Sequence, residues 1–137
     1  MDCPQGPAAS CLLLADRSQV LLEGLQGLLR LKFESVVTVR DEASLMESAR
    51  RLLPSLVVLD LNLGDDGLGV LRRLRRLRPD QRIILLSPYE EAPAAEAAWR
   101  AGADGIVLKR SIAEDLMVAA DAVLDGRRFC SAEIGRT

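Results

Sequence analysis

The stretch Ser55-Leu56-Val57-Val58-Leu59-Asp60 limits what this chain can fold into more than any other. Four consecutive apolar residues, two of them β-branched, end on a single carboxylate. Pro54 opens the run and the polar stretch Asn62 to Gly67 closes it. A run so short and so bounded predicts a strand buried on both faces. Such strands are typical of parallel sheets covered by helices. In open sheets of that kind, ligands gather at the carboxyl ends of the strands. Asp60 stands at such an end and is a candidate site residue. The alternative is a polar strand terminus that only meets water.

The flanking sequence repeats the pattern. Cys11-Leu12-Leu13-Leu14-Ala15 is a second short apolar run, and it stops at Asp16. Ser18 is placed to cap a helix whose inner face is Leu21, Leu25, Leu28 and Leu29. Ser35 to Val39 predicts the second strand. A helix beginning at Asp41 or Ser44 follows, with Leu45, Ala49 and Leu52 inward, and Pro54 ends it. After the central strand, Asp66 is the expected N-cap of a helix from Gly67 to Arg78, striped by Leu71, Leu74 and Leu77. Its arginines, 72, 73, 75, 76 and 78, read first as a solvated face and second as a partner-binding patch. Arg82 to Leu86 is the fourth strand and runs into Ser87-Pro88. Ala94 to Ala101 is an alanine-rich helix with Trp99 inward, ended by Gly102. Ile106-Val107-Leu108 is the fifth strand, ending on Lys109. Ser111 and Glu114 form a capping-box pattern ahead of a last helix bearing Ile112, Leu116, Ala119 and Val123.

Five strands alternating with five helices predict a doubly wound α/β fold with a parallel sheet. The domain is expected over residues 10–126, after a loose leader (1–9) and before a tail or start of a linker (127–137). The chain's 137 residues suffice for one such core. The formal net charge of -2, from 18 basic and 20 acidic side chains, argues against binding nucleic acid through bulk charge. No apolar run is long enough to span a bilayer. Met1 to Ala9 lacks the basic start of a secretory signal. Cys3, Cys11 and Cys130 have no metal-ligand spacing and read as reduced thiols of a cytoplasmic protein. Histidine is absent, which excludes a catalytic His, a His metal site and a Ser-His pair.

Asp16, Asp60, Ser87 and Lys109 all fall at carboxyl ends of predicted strands, so they meet at one rim. Two adjacent carboxylates repel, and a hard divalent cation such as Mg²⁺ relieves the repulsion. A lysine beside them neutralises an incoming anion. The set suits a phosphoryl group. The alternative is a surface ion pair between Lys109 and one carboxylate.

These residues resemble the receiver domain of two-component response regulators, a flavodoxin-like fold. The resemblance runs from about Cys11 to Ile134. It rests on Leu12-Leu13-Leu14-Ala15-Asp16, on Pro54 to Asn62, on Ile83-Ile84-Leu85-Leu86-Ser87, and on Gly102 to Lys109. It implies that Asp60 accepts a phosphoryl group from a sensor histidine kinase or a small phosphodonor. It also implies Mg²⁺ bound by Asp16, Asp60 and the backbone carbonyl of Asn62. Ser87 would hydrogen-bond the attached phosphoryl group and Lys109 would pair with its charge. The stretch Gly126 to Ser131 is similar to the junction that precedes a helix-turn-helix DNA-binding domain in some members. Direct nucleic-acid binding by these 137 residues is not expected. A homodimer is expected through the fourth helix, fifth strand and last helix, or through the first and last helices.

The sequence departs from the family pattern at the site. Ala15 stands where a first acid is usual, which predicts a weakened Mg²⁺ site, with Asp65 and Glu90 as the acids that could substitute. The loop after Asp60 is short and lacks its usual proline. Pro88 follows Ser87, Ile106 stands where an aromatic ring is common, and Arg110 follows Lys109 where proline is usual. The second reading is therefore an atypical receiver that works by protein contact without phosphorylation. The third is a small phosphatase with Asp60 as nucleophile; it lacks a second acid two residues on, since Asn62 is there.

Overall fold

The computed structural model describes residues 10–135, so the expected leader lies outside the described residues. In chain order the elements are β1 (Cys11–Ala15), α1 (Gln19–Leu29), β2 (Ser35–Val39), α2 (Glu42–Leu52), β3 (Leu56–Asp60), α3 (Gly69–Leu77), β4 (Ile83–Ser87), α4 (Ala92–Ala101) and β5 (Gly105–Leu108). A 3₁₀ turn (Lys109–Ser111), α5 (Ile112–Leu124) and β6 (Phe129–Cys130) complete it. All strand pairs are parallel, in the order β2-β1-β3-β4-β5-β6.

Each strand splits its side chains between two cores, as the period of two demands. Leu12, Leu14, Leu56, Val58, Ile84 and Leu86 face α1 and α5. Leu13, Ala15, Val57, Leu59, Ile83 and Leu85 face α2, α3 and α4. Because both faces are covered, the strands are unbroken apolar runs rather than alternating ones. In β1, β3, β4 and β5 the polar residues are left only at or just past the strand ends, and that places the site; edge strand β2 carries Thr38 within it.

The expected five-stranded sheet is corrected to six strands. The sixth pairs Phe129 with Gly105 and Cys130 with Ile106. Two residues are too few to show a period of two, so the sequence carries no strand signal there. Two expected caps are also corrected. Asp66 does not cap α3, whose N-cap is Leu68 without a side-chain bond; Asp66 is instead drawn into an ion pair with Arg73. Ser111 makes no cap bond at α5, because the 3₁₀ turn intervenes and buries it. Ser18 and Asp41 do cap, accepting from Leu21 N at 3.2 Å and Ser44 N at 2.7 Å.

The arginines of α3 do not share one role. Arg72 and Arg76 are exposed. Arg73 pairs with Glu42 and Asp66. Arg75 donates to the carbonyls of Gly102 and Gln81 and pairs with Asp104, so it ties the end of α4 to the start of β4. Cys11 is disulfide-bonded, against the expectation of a reduced thiol there, and Cys130 is free; the expectation for Cys3 lies outside the described residues. No helix among the described residues is long and apolar enough to cross a membrane.

Two glycines test the packing. A Cβ on Gly105 would come within 3.0 Å of Val123 Cγ2 and 3.2 Å of Ile84 Cγ1, so α5 lies on β5 at glycine distance. Gly105→Ala is expected to cost about 1–3 kcal/mol in urea unfolding. Gly24, inside α1, has nothing within 4 Å of such an atom. Gly24→Ala should gain about 0.5–1 kcal/mol, and a loss there would contradict this packing.

Candidate functional site

The site forms where the chain turns back at the switch between β1 and β3. β2 lies on one side of β1 and β3 on the other, so the loops that follow β1 and β3 part and leave a crevice at the carboxyl edge. Asp16 follows β1, and its N–H extends the ladder by donating to Val39 O at 3.1 Å. Asp60 is the last residue of β3, in register with Leu86. Both are buried, at 1% and 3% exposure. Buried carboxylates are costly unless paired.

Lys109 supplies the pairing. It opens the 3₁₀ turn directly after β5, and its Nζ lies 3.1 Å from Asp16 Oδ2 and 3.1 Å from Asp60 Oδ1. Asp16 Oδ1 is separately held by the Ser18 N–H at 2.9 Å. The two oxygens facing the ammonium are buried, and this one pairing leaves each with acceptor capacity to spare. Desolvation pushes the Lys109 pKa down, but the pull of Asp16 and Asp60 outweighs it and the pKa is raised.

The loop after β3 turns at once. Leu61 N donates to Leu86 O at 2.9 Å and Leu63 N to Asp60 O at 3.1 Å. This turn leaves Asn62 exposed at its crest. Leu63 drops back into the apolar cluster that also holds Ala15. Arg17, which sequence reasoning passed over, clasps this loop: its Nε donates to Leu63 O at 3.0 Å and its guanidinium pairs with Asp65 at 2.9 Å. A basic residue directly after the strand-end acid, facing an acidic loop, was the available signal.

Ser87 stands at the same edge but is turned away. Its Oγ accepts from Tyr89 N at 3.0 Å rather than engaging Asp60 or Lys109. Neither Asp65 nor Glu90, the acids expected to substitute for one at position 15, joins the cluster. Asp65 is 95% exposed and held by Arg17, and Glu90 pairs with Arg110. Among the described residues no three acids, cysteines or histidines come together as a metal site. Two buried carboxylates whose facing oxygens are met only by one ammonium still fit one hard cation.

Removing the bridging ammonium exposes what it does. Lys109→Met should fold but lose about 2–3 kcal/mol, less than a fully buried pair would because the lysine is 30% exposed. Millimolar Mg²⁺ should restore part of that loss. Urea unfolding with and without Mg²⁺ checks this; unchanged stability would contradict it. The contribution of the lysine charge is whole below its ordinary pKa of 10.5 and lost as pH rises through its higher folded value.

A family model, the response regulator receiver domain, matches residues 12–121. The nitrate/nitrite response regulator protein NarP of Escherichia coli (strain K12) is 33% identical over 128 residues, 91% of this chain and 60% of that protein. The Fimbriae Z protein of Salmonella typhimurium is 36% identical over 99 residues, 72% of this chain and 47% of that one. The chain thus spans about half the length of the curated relatives it matches. A crystal structure of a LuxR-family two-component response regulator from Aurantimonas sp. SI85-9A1 superposes with a TM-score of 0.84 at 28% identity, covering 93% of both chains. The isolated REC domain of RcsB from Salmonella enterica serovar Typhimurium, in its apo form, gives 0.80 at 27% identity, covering 93% of this chain and 96% of that one. The fold, the strand-end residues and these matches agree: this chain belongs to the response regulator receiver domain family.

Proposed function

We propose that Asp60 is the phosphoryl acceptor of this receiver and that a sensor histidine kinase is its donor. The observation that carries this reading is the pair of buried carboxylates bridged by Lys109 at 3.1 Å, with the facing oxygens met only by that ammonium. A carboxylate oxygen of Asp60 attacks phosphorus and forms an acyl phosphate. The P–N bond to the kinase histidine breaks, or the P–O bond of acetyl phosphate breaks and acetate leaves. Lys109 offsets the charge on the acyl phosphate. Asp16, Asp60 and the Asn62 carbonyl would hold Mg²⁺, which neutralises charge on the acceptor and on the phosphoryl oxygens when bound. Positioning and charge compensation do most of the work in such a transfer. Ser87 then rotates from Tyr89 toward the phosphoryl oxygens.

Two further readings have less support. A receiver working only by contact would not need the acceptor, metal and lysine positions to converge at one buried rim. A phosphatase would need a second acid beside Asp60, and Asn62 stands two residues on. The apolar side chains left exposed on the α1–α5 side, Val20, Leu31 and Val118, support a homodimer there.

Acetyl phosphate with Mg²⁺ should add one phosphoryl group to the wild type by intact mass. Asp60→Asn should abolish the label while remaining folded. No label on the wild type, or label kept in Asp60→Asn, would overturn the assignment. Sedimentation of the same samples reads the dimer, and a monomer in both states would count against it.

Ala15 has a separate consequence. It is fully buried in the apolar cluster that also holds Leu63, so Ala15→Asp adds ligand charge at the expense of apolar packing. The variant should bind Mg²⁺ about tenfold more tightly and lose about 1–3 kcal/mol of stability. Unchanged affinity in a calorimetric titration would show that the missing acid does not limit metal binding.

A further inference from the structure

The segment after α5 does more than end the domain. Gly126 turns the chain at φ 83°, and β6 joins the sheet edge beside β5. Ser131 is 1% exposed. Its N–H donates to Ile106 O at 3.0 Å, its Oγ accepts from Leu108 N at 3.0 Å, and that hydroxyl donates to Asp115 Oδ2 at 2.7 Å. The Arg128 guanidinium sits 5.0 Å from the Trp99 ring centre on α4. Ile134 packs on the apolar cluster that includes Ala95 and Trp99. The segment ends on the β4–α4 loop, where Gly135 N donates to Glu90 O at 2.7 Å.

That loop is the one that begins at Ser87. The Tyr89 N–H is held by Ser87 Oγ at 3.0 Å, and the next carbonyl along, that of Glu90, holds Gly135. The Glu90 side chain pairs with Arg110, which follows Lys109. Beneath the loop lies a cavity of about 220 Å³ lined by Ser87, Tyr89, Ala94 and Ile106 among others. Tyr89 is 50% exposed at its mouth. The loop therefore has space to move into, and its movement carries the acceptor of the Gly135 bond with it.

We propose that Arg127 to Gly135 is a strap, docked across β5 and α4 while Asp60 is unmodified and released from Glu90 when Ser87 turns to a phosphoryl group. The proposal rests on the assignment of Asp60 and Ser87 above. When Ser87 Oγ leaves the Tyr89 N–H, that donor must find a new partner, so the Tyr89–Glu90 backbone shifts and the last anchor of the strap is lost. Ser131 stays buried, so release begins at the Gly135 end. Because coupling between sites is reciprocal, weakening the strap must favour the phosphoryl-like state by the same factor.

The test uses the full chain with Mg²⁺ and beryllofluoride, a phosphoryl mimic, with binding followed by Trp99 fluorescence and amide hydrogen exchange followed by NMR. Bound mimic should speed exchange at Gly135 at least about fivefold, with Ser131 little changed. Ser87→Ala, which removes the Oγ–Tyr89 bond for good, should show the fast Gly135 exchange already without the mimic and no further acceleration when the mimic is added. Ile134→Asp, or Arg128→Ala as a milder variant, should bind the mimic about fivefold more tightly than the wild type. Mimic bound with Gly135 exchange unchanged, or with equal affinity in both strap variants, overturns the strap and leaves the receiver site standing. No binding of the mimic by the wild type overturns both.

Discussion

One ammonium between two buried carboxylates holds the functional edge of this domain together. Asp16 and Asp60 are almost wholly removed from water, and an isolated ionised carboxylate at such depth is unfavourable by several kcal/mol even after relaxation. Lys109 offsets that cost and reaches both from the far side of β4. The geometry exists because β1, β3 and β5 each end within one residue of a charged side chain while β4 lies between β3 and β5. The apolar strand runs, the two helix layers and the register all serve to hold those three ends level.

The same runs made the fold legible. A strand buried on both faces has no alternation, only length and boundaries, and Pro54 and Asp60 mark both ends of the central one. Helix caps were legible where a short polar side chain met no stronger competitor, as at Ser18 and Asp41. They failed where one existed: Arg73 draws Asp66 away from α3, and the 3₁₀ turn takes Ser111 from α5. β6 was not legible, since its pairing depends on the edge β5 presents and not on its own two residues.

The site was legible as a set of strand ends, but not in its arrangement. Whether Asp65 or Glu90 reaches the cluster was a question of loop geometry. Arg17 answers it for Asp65 and Arg110 for Glu90, by holding each in an ion pair outside the cluster. The role of Arg75 was hidden for the same reason: a guanidinium that donates to carbonyls of distant loops looks, in sequence, like its solvated neighbours. Ser87 ends β4 at the same edge, and its hydroxyl accepts from the Tyr89 N–H.

The site brings two buried carboxylates together, and Ala15, next to Asp16, is buried in the same apolar cluster as Leu63. The facing oxygens of Asp16 and Asp60 each meet the Lys109 ammonium at 3.1 Å, and a carboxylate oxygen so paired keeps room for a second partner. The central claim is that the carboxylate at position 60 is where that chemistry happens. Borohydride reduction of protein treated with acetyl phosphate, followed by peptide sequencing, tests it most directly, because an acyl phosphate is reduced to an alcohol and marks its own position. Homoserine at position 60 is the predicted result. Homoserine at position 16 or 65, or at no position in a protein that has taken up phosphate, would contradict the account.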